Sequence, residues 1–232
     1  MFDRTAGYNF AAEKEVMKYY LSILAAVLLF SCTKDRITGS GPVLTETRTV
    51  ADFSKVYVNG SATVFITQGA DASVEVKAFS NLLPYYETKV SNGNLMLGYK
   101  EFTNVRNNNV EVYITMPMIE GISINGSSEI TTQGMFSAST EIVLSVNGSG
   151  TITMQQAQTN FLKAKISGSG EIGGYGITAK EAEIDISGSG DVNLTVQDKL
   201  HAIIRGSGEI NYKGSPASVI TDISGSGKVT KR

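Results

Sequence analysis

The chain has no tryptophan, one histidine (His201), one cysteine (Cys32) and four prolines in 232 residues. So few histidines and cysteines argue against a His/Cys metal centre or a nucleophilic triad, and no G-x-S-x-G elbow surrounds any of the serines. His201 lies in "KLHAIIRG", where alternation from Ile204 turns it outward, as a surface residue rather than a catalytic base. There is no excess of either charge: the net value is −2, and nothing marks the chain as a nucleic-acid binder. No apolar run reaches the roughly 20 residues a membrane-crossing helix needs. What is abundant is glycine, 24 residues, set among Val, Ile and Thr in regular stretches. That is an all-β composition rich in tight bends.

The stretch "MKYYLSILAAVLLFSC" has one lysine followed by about a dozen largely apolar residues, the pattern of a secretory signal. Residues 1–31 are read as that signal. Met17 is the expected true start, because Asp3, Glu13 and Glu15 suit a signal poorly. Leu29, Phe30 and Ser31 before Cys32 resemble the lipobox of bacterial lipoproteins, which implies diacylation of Cys32 and attachment to a membrane. Residues 32–45 then read as a lipidated cysteine and tether. The expected location is the cell envelope, as an outer-membrane lipoprotein on its periplasmic or surface face.

"KISGSGEIGG" matches the dinucleotide fingerprint at Gly168, Gly170 and Gly173. That fingerprint needs a following helix to receive phosphate, whereas "YGIT" and a further glycine-rich stretch follow. Seven related copies occur in all, with first glycines at 60, 126, 148, 168, 188, 206 and 225. A period near twenty is that of a solenoid with one coil per repeat. Two positions before each glycine, and four after it, stand only Val or Ile. The even offsets predict that these aliphatics and the first glycines share one inward face, leaving the odd offsets outward. Ser149, Ser169, Ser189 and Ser207 would then line a polar surface strip beside Glu171, Asp191 and Glu209. Those acids read either as a solvated ladder or as ligands of a calcium ion that relieves their repulsion.

The 66 residues between Gly60 and Gly126 divide into about three coils of 22, less regular than the rest. Residues 46–119 are therefore expected to form an irregular half and 120–232 a regular Gly-Ser-Gly half. Aromatics gather before residue 120: Tyr57, Phe65, Phe79, Tyr85, Tyr86, Tyr99, Phe102 and Tyr113. Most are expected in the core, with Tyr85 and Tyr86, in a short helical insert, as the candidate contact patch.

The order "FSKVYVNGSATVFITQG", "NLLPYYETKVSNGNLMLGY", "VEVYITMP" and "GISINGSSEI" resembles the putative auto-transporter adhesin, head GIN domain family of bacterial surface proteins over roughly residues 50–232. The resemblance implies a right-handed β-helix-like solenoid in lipoproteins common in Bacteroidetes, and no established biochemical activity. The resulting expectation is a lipid-anchored binding or adhesion module without catalytic residues, cofactor or metal. Its partner is the membrane, with a glycan or a surface protein as ligand. The alternatives are a self-assembling envelope scaffold and a glycan-degrading β-helix enzyme, the latter requiring paired acids in a groove. Lys228, Lys231 and Arg232 guard the last coil and favour a monomer over an end-to-end dimer.

Overall fold

The computed structural model describes residues 36–101, 103–137 and 140–232. Cys32, the apolar run, Met17 and Phe102 lie outside the described residues. In the first part the strands are β1 (Arg36–Thr38), β2 (Val43–Arg48), β3 (Lys55–Gly60), β4 (Thr63–Gln68), β5 (Ser73–Phe79), β6 (Tyr86–Ser91), β7 (Asn94–Tyr99), β8 (Asn104–Arg106) and β9 (Glu111–Met116). There follow β10 (Gly121–Gly126), β11 (Glu129–Ser137), β12 (Glu141–Gly148), β13 (Thr151–Gly168), β14 (Glu171–Gly173) and β15 (Ile177–Gly188). The last are β16 (Asp191–Gly206), β17 (Glu209–Lys213), β18 (Ser218–Gly225) and β19 (Lys228–Lys231).

The fold is all-β, with a β-solenoid of about 5 turns from residue 121 onward. Its repeat is the one in the sequence: Gly60, Gly126, Gly148, Gly168, Gly188, Gly206 and Gly225 are successive partners in parallel, in-register pairings. In the β13 coil the chain bends where the in-out alternation slips. In β13 the inward residues are Ile152 and Met154, then Ala157 and Thr159, then Leu162, Ala164 and Ile166. The slips fall at 155–156 and 160–161, so with the glycine corner the coil has three straight sides.

The predicted aliphatic columns are buried in six of the seven copies, Val58, Ile124, Val146, Ile166, Ile186 and Ile204 before the corner and Val64, Ile130, Ile152, Ile172, Val192 and Ile210 after it, whereas in the last copy Ile223 is exposed and Val229 half-buried. The first glycine of each copy, however, does not share their inward face. Gly188 is half-buried with φ 130° and forms the corner itself, where a side chain would collide with the carbonyl oxygen of Gly168. The residue that points inward between the aliphatic layers is the second glycine: a Cβ on Gly190 would lie 2.6 Å from both Ile166 Cγ2 and the Gly170 carbonyl oxygen. A left-handed bend at the first glycine rotates its Cβ direction out of the strand's alternation, which parity counting assumes is unbroken.

The 66-residue gap does not hold three coils. β3 lies between β10 and β7, and β4 between β11 and β9. The gap thus supplies one further coil, β7 and β9, on the far side of the Gly60 coil. The remaining residues return along antiparallel strands. β5 pairs antiparallel with both β9 and β2, and β6 forms a hairpin with β7 through Asn92 (φ 50°) and Gly93 (φ 72°). This closes one end of the stack. Residues read as tether are likewise ordered: β1 pairs with β8, and β2 begins at Val43.

Side chains reinforce the backbone stacking. Asn125 donates to Asn59 Oδ1 and Asn147 donates to Asn125 Oδ1, each at 3.0 Å, as a short ladder one position before the corner.

The aromatics divide differently from the expectation. Tyr86 is 2% exposed and packs edge-on to Tyr99 with ring centroids 5.2 Å apart, which removes it from any contact patch. Tyr85, in a single 3₁₀ turn (Leu83–Tyr85), is 41% exposed. Phe65 and Tyr113 are not core residues: they stack at 5.2 Å and 21° at neighbouring outward positions of β4 and β9.

Candidate functional site

The outward positions beside the glycine corner carry polar groups in register. Ser149, Ser169, Ser189 and Ser207 are exposed. Their backbone N–H groups donate to Gly126, Gly148, Gly168 and Gly188 of the preceding coil at 3.0, 2.9, 2.9 and 2.8 Å. Their hydroxyls have no hydrogen-bond partner among the described residues. Backbone bonding fixes this row while leaving its side chains available.

Two residues further along each coil runs the row Thr151, Glu171, Asp191, Glu209 and Lys228, each the register partner of the next. Glu171 and Asp191 are exposed and Glu209 is half-buried. Repulsion along the row is offset locally: Asp191 Oδ1 accepts the Glu209 N–H at 3.2 Å and Asn193 donates to Glu171 at 3.5 Å. Among the described residues no group of three or more His, Cys, Asp or Glu side chains is placed to hold a metal ion. The acids form a line spaced by ~4.8 Å steps rather than a cage. His201 faces outward, half-buried and opposite Glu183.

At the end of the solenoid nearest β9 both rows continue into a cleft of about 340 Å³ lined by Ser61, Thr63, Asn108, Glu111, Ser127 and Glu129. Glu129, Thr63 and Glu111 are successive register partners, so they extend the acidic row. Asn108 is held on three sides. Its Oδ1 accepts from the Tyr99 hydroxyl at 2.6 Å and from Val110 N at 3.2 Å, and its Nδ2 donates to both the carbonyl and the hydroxyl of Ser61. Glu111 accepts from the Tyr113 hydroxyl at 2.6 Å and from Lys77 at 3.0 Å. The Tyr113 hydrogen bond, then the one from Lys77, holds its carboxyl below the usual carboxylate range, while Glu111 raises Lys77 in turn. Glu111 is therefore an ionised acceptor fixed in direction.

The sequence pattern shows the serine and acid rows, because Glu171, Asp191 and Glu209 share one offset from the corner. It does not show Glu111 or Asn108, which come from a coil without a Gly-Ser signature and join the site only because the chain doubles back.

Residues 52–216 match the model of the family described as putative auto-transporter adhesin, head GIN domain. The chain belongs to this family. Solved structures share the fold. A putative adhesin from Bacteroides fragilis NCTC 9343 superposes with a TM-score of 0.67 at 20% identity, over 84% of this chain and 100% of that one. A putative lipid binding protein from Parabacteroides distasonis ATCC 8503 does so with a TM-score of 0.52 at 23% identity, over 85% and 100%. No curated protein matches the chain.

Proposed function

We propose that this head GIN domain chain is a lipid-anchored cell-envelope protein that binds a glycan without catalysis and so serves adhesion. The observation that carries the reading is the continuity of the two polar rows with the cleft: unpaired serine hydroxyls and oriented carboxylates recur at strand spacing along the coils and end at Asn108, Glu111 and Glu129. A sugar chain presents hydroxyls in a comparable linear series. Carboxylates and amide oxygens accept from such hydroxyls, and serines both donate and accept. The family and the B. fragilis neighbour, both described as putative adhesins, support a surface or envelope setting.

The non-catalytic part of the reading is supported by the family's description as a putative adhesin, and Glu111 is unsuited to one of the two carboxyl roles that glycan cleavage needs, that of the acid. Hydrolysis of a glycosidic bond calls for one carboxyl with a raised pKa to act as the acid. Glu111 is shifted in the opposite direction. The test is a glycan array probed with the protein and with Glu111→Gln/Glu129→Gln. The expected result is a restricted set of bound glycans whose signals fall at least tenfold in the double variant. An array without signal, or signals the substitutions do not alter, overturns the reading.

A further inference from the structure

Three residues, 33–35, separate Cys32 from Arg36, where β1 begins. Fully extended, the steps from Cys32 to Arg36 span ~14 Å at most. From there the chain is held in place. Gly39 N donates to the Arg106 carbonyl at 2.8 Å, and its own carbonyl accepts from Asn107 Nδ2 at 2.8 Å. Asn81 clamps both sides, donating to the Thr38 carbonyl and accepting from Ser40 N, each at 2.8 Å. Gly39 is buried, and a Cβ there would lie 2.8 Å from Phe79 and 3.0 Å from Leu82. A segment fixed in this way cannot act as slack, so an acyl group on Cys32 would hold this end of the domain close to the bilayer.

The surface at this end has a matching composition. Val43 and Leu44, at the start of β2, are 47% and 48% exposed. They pair with Phe79 and Ala78, and Ser80 N donates to the Pro42 carbonyl, which joins them to the strand leading into the 3₁₀ turn. Tyr85 in that turn is exposed, with the Lys100 ammonium 6.0 Å from its ring centre, and Lys100 N donates to the Tyr85 carbonyl at 2.9 Å. Arg36 and Arg106, both exposed, stand at opposite ends of the β1–β8 pairing. Glu101 is exposed beside Lys100, as are Glu46, two residues from Leu44 and paired with Arg48, and Glu87, two residues from Tyr85. Aliphatic side chains and an amphipathic ring, flanked by long cations, suit the boundary between acyl chains and phosphates: the apolar groups insert while the phenol and cations stay at headgroup level.

We infer that this end of the domain docks on the phospholipid bilayer carrying the Cys32 anchor, with Val43, Leu44 and Tyr85 in the interface and Arg36, Lys100 and Arg106 at the headgroups. The inference rests on the lipoprotein reading of Cys32.

The test uses the processed, acylated full chain in vesicles of phosphatidylcholine and phosphatidylglycerol. Cys32 is the only cysteine, so Leu44→Cys, Tyr85→Cys or Lys228→Cys each adds a single thiol for a polarity-sensitive dye. The expected result is a blue-shifted emission protected from an aqueous quencher at positions 44 and 85, and neither effect at 228. Acyl labelling of Cys32 is followed in the same samples. Labelled protein whose dyes at 44 and 85 behave like the dye at 228 overturns the docking alone. Absence of label overturns the anchor, and the docking with it.

Discussion

At Gly188 the backbone φ of 130° and the carbonyl of Gly168 each exclude a side chain. The first effect costs a non-glycine residue about 1–3 kcal/mol of strain, and the second forces neighbouring coils apart. At Gly190 the obstacle is the aliphatic layer, through Ile166, where an added methyl overpacks the core by about 1–3 kcal/mol. Ser189 stands between them and is exposed. Gly188→Ala and Gly190→Ala are each expected to lower the urea midpoint substantially, and Ser189→Val by less than half as much. Equal losses at 188 and 189 would contradict the outward placement of the serine row. The two glycines look alike in the sequence and answer to different physics. The alternation of Val and Ile locates the core face, but only the left-handed φ of the first glycine shows that its neighbour two residues on, not itself, faces inward.

Among the elements, the antiparallel strands at the β2 end of the stack were the least legible. Parallel coils repeat their contacts and hence their residues, so the run from Gly126 to Gly225 shows as a period. β2, β5 and β6 each meet a different partner and need no common motif. Only the Asn92–Gly93 hairpin has a local signature. Two tyrosines at this end give it a pH dependence. Burial pushes the Tyr99 hydroxyl from its ordinary 10.0 up to about 12 and raises Tyr86 further, with Tyr99 as the lesser cause for Tyr86. An unfolded chain releases these protons near pH 10 while the native state retains them, so native stability falls as pH rises. The stabilisation is complete below pH 10 and is lost as pH climbs through the folded values. The melting temperature is expected to decline from about pH 10 to 12, less steeply in Tyr99→Phe. Full ionisation of both phenols by pH 10, with the far-UV circular dichroism unchanged, would be the contrary result.

For the whole molecule, the question is how a stack of coils avoids adding another copy of itself. On one side of the coil that ends in β19 the candidates for a guard are Lys228, Lys231 and Arg232: Lys228 and Lys231 belong to β19, and Arg232 donates to Asn211 Oδ1 at 2.9 Å. β18, on another side, has no such protection. It pairs with β16 along one edge, and its residues Val219, Ile220 and Ile223 are exposed, with Asp222 as its only charge. Val219 and Ile223 are the register partners of buried Leu200 and Ile204, so they are core positions without a covering layer among the described residues. The cations could be read from the sequence as a guard. Their confinement to one side of a three-sided coil could not, because it depends on where the corner falls. Apolar side chains on a strand with an unpaired edge favour association through that edge. The sedimentation coefficient is therefore expected to rise with protein concentration, and Ile220→Lys/Ile223→Lys is expected to remove the rise. Replacing Lys228, Lys231 and Arg232 with serine should strengthen it. A sedimentation coefficient independent of concentration in the unaltered protein, appearing only in the serine variant, would mean that three cations on one side protect the whole coil.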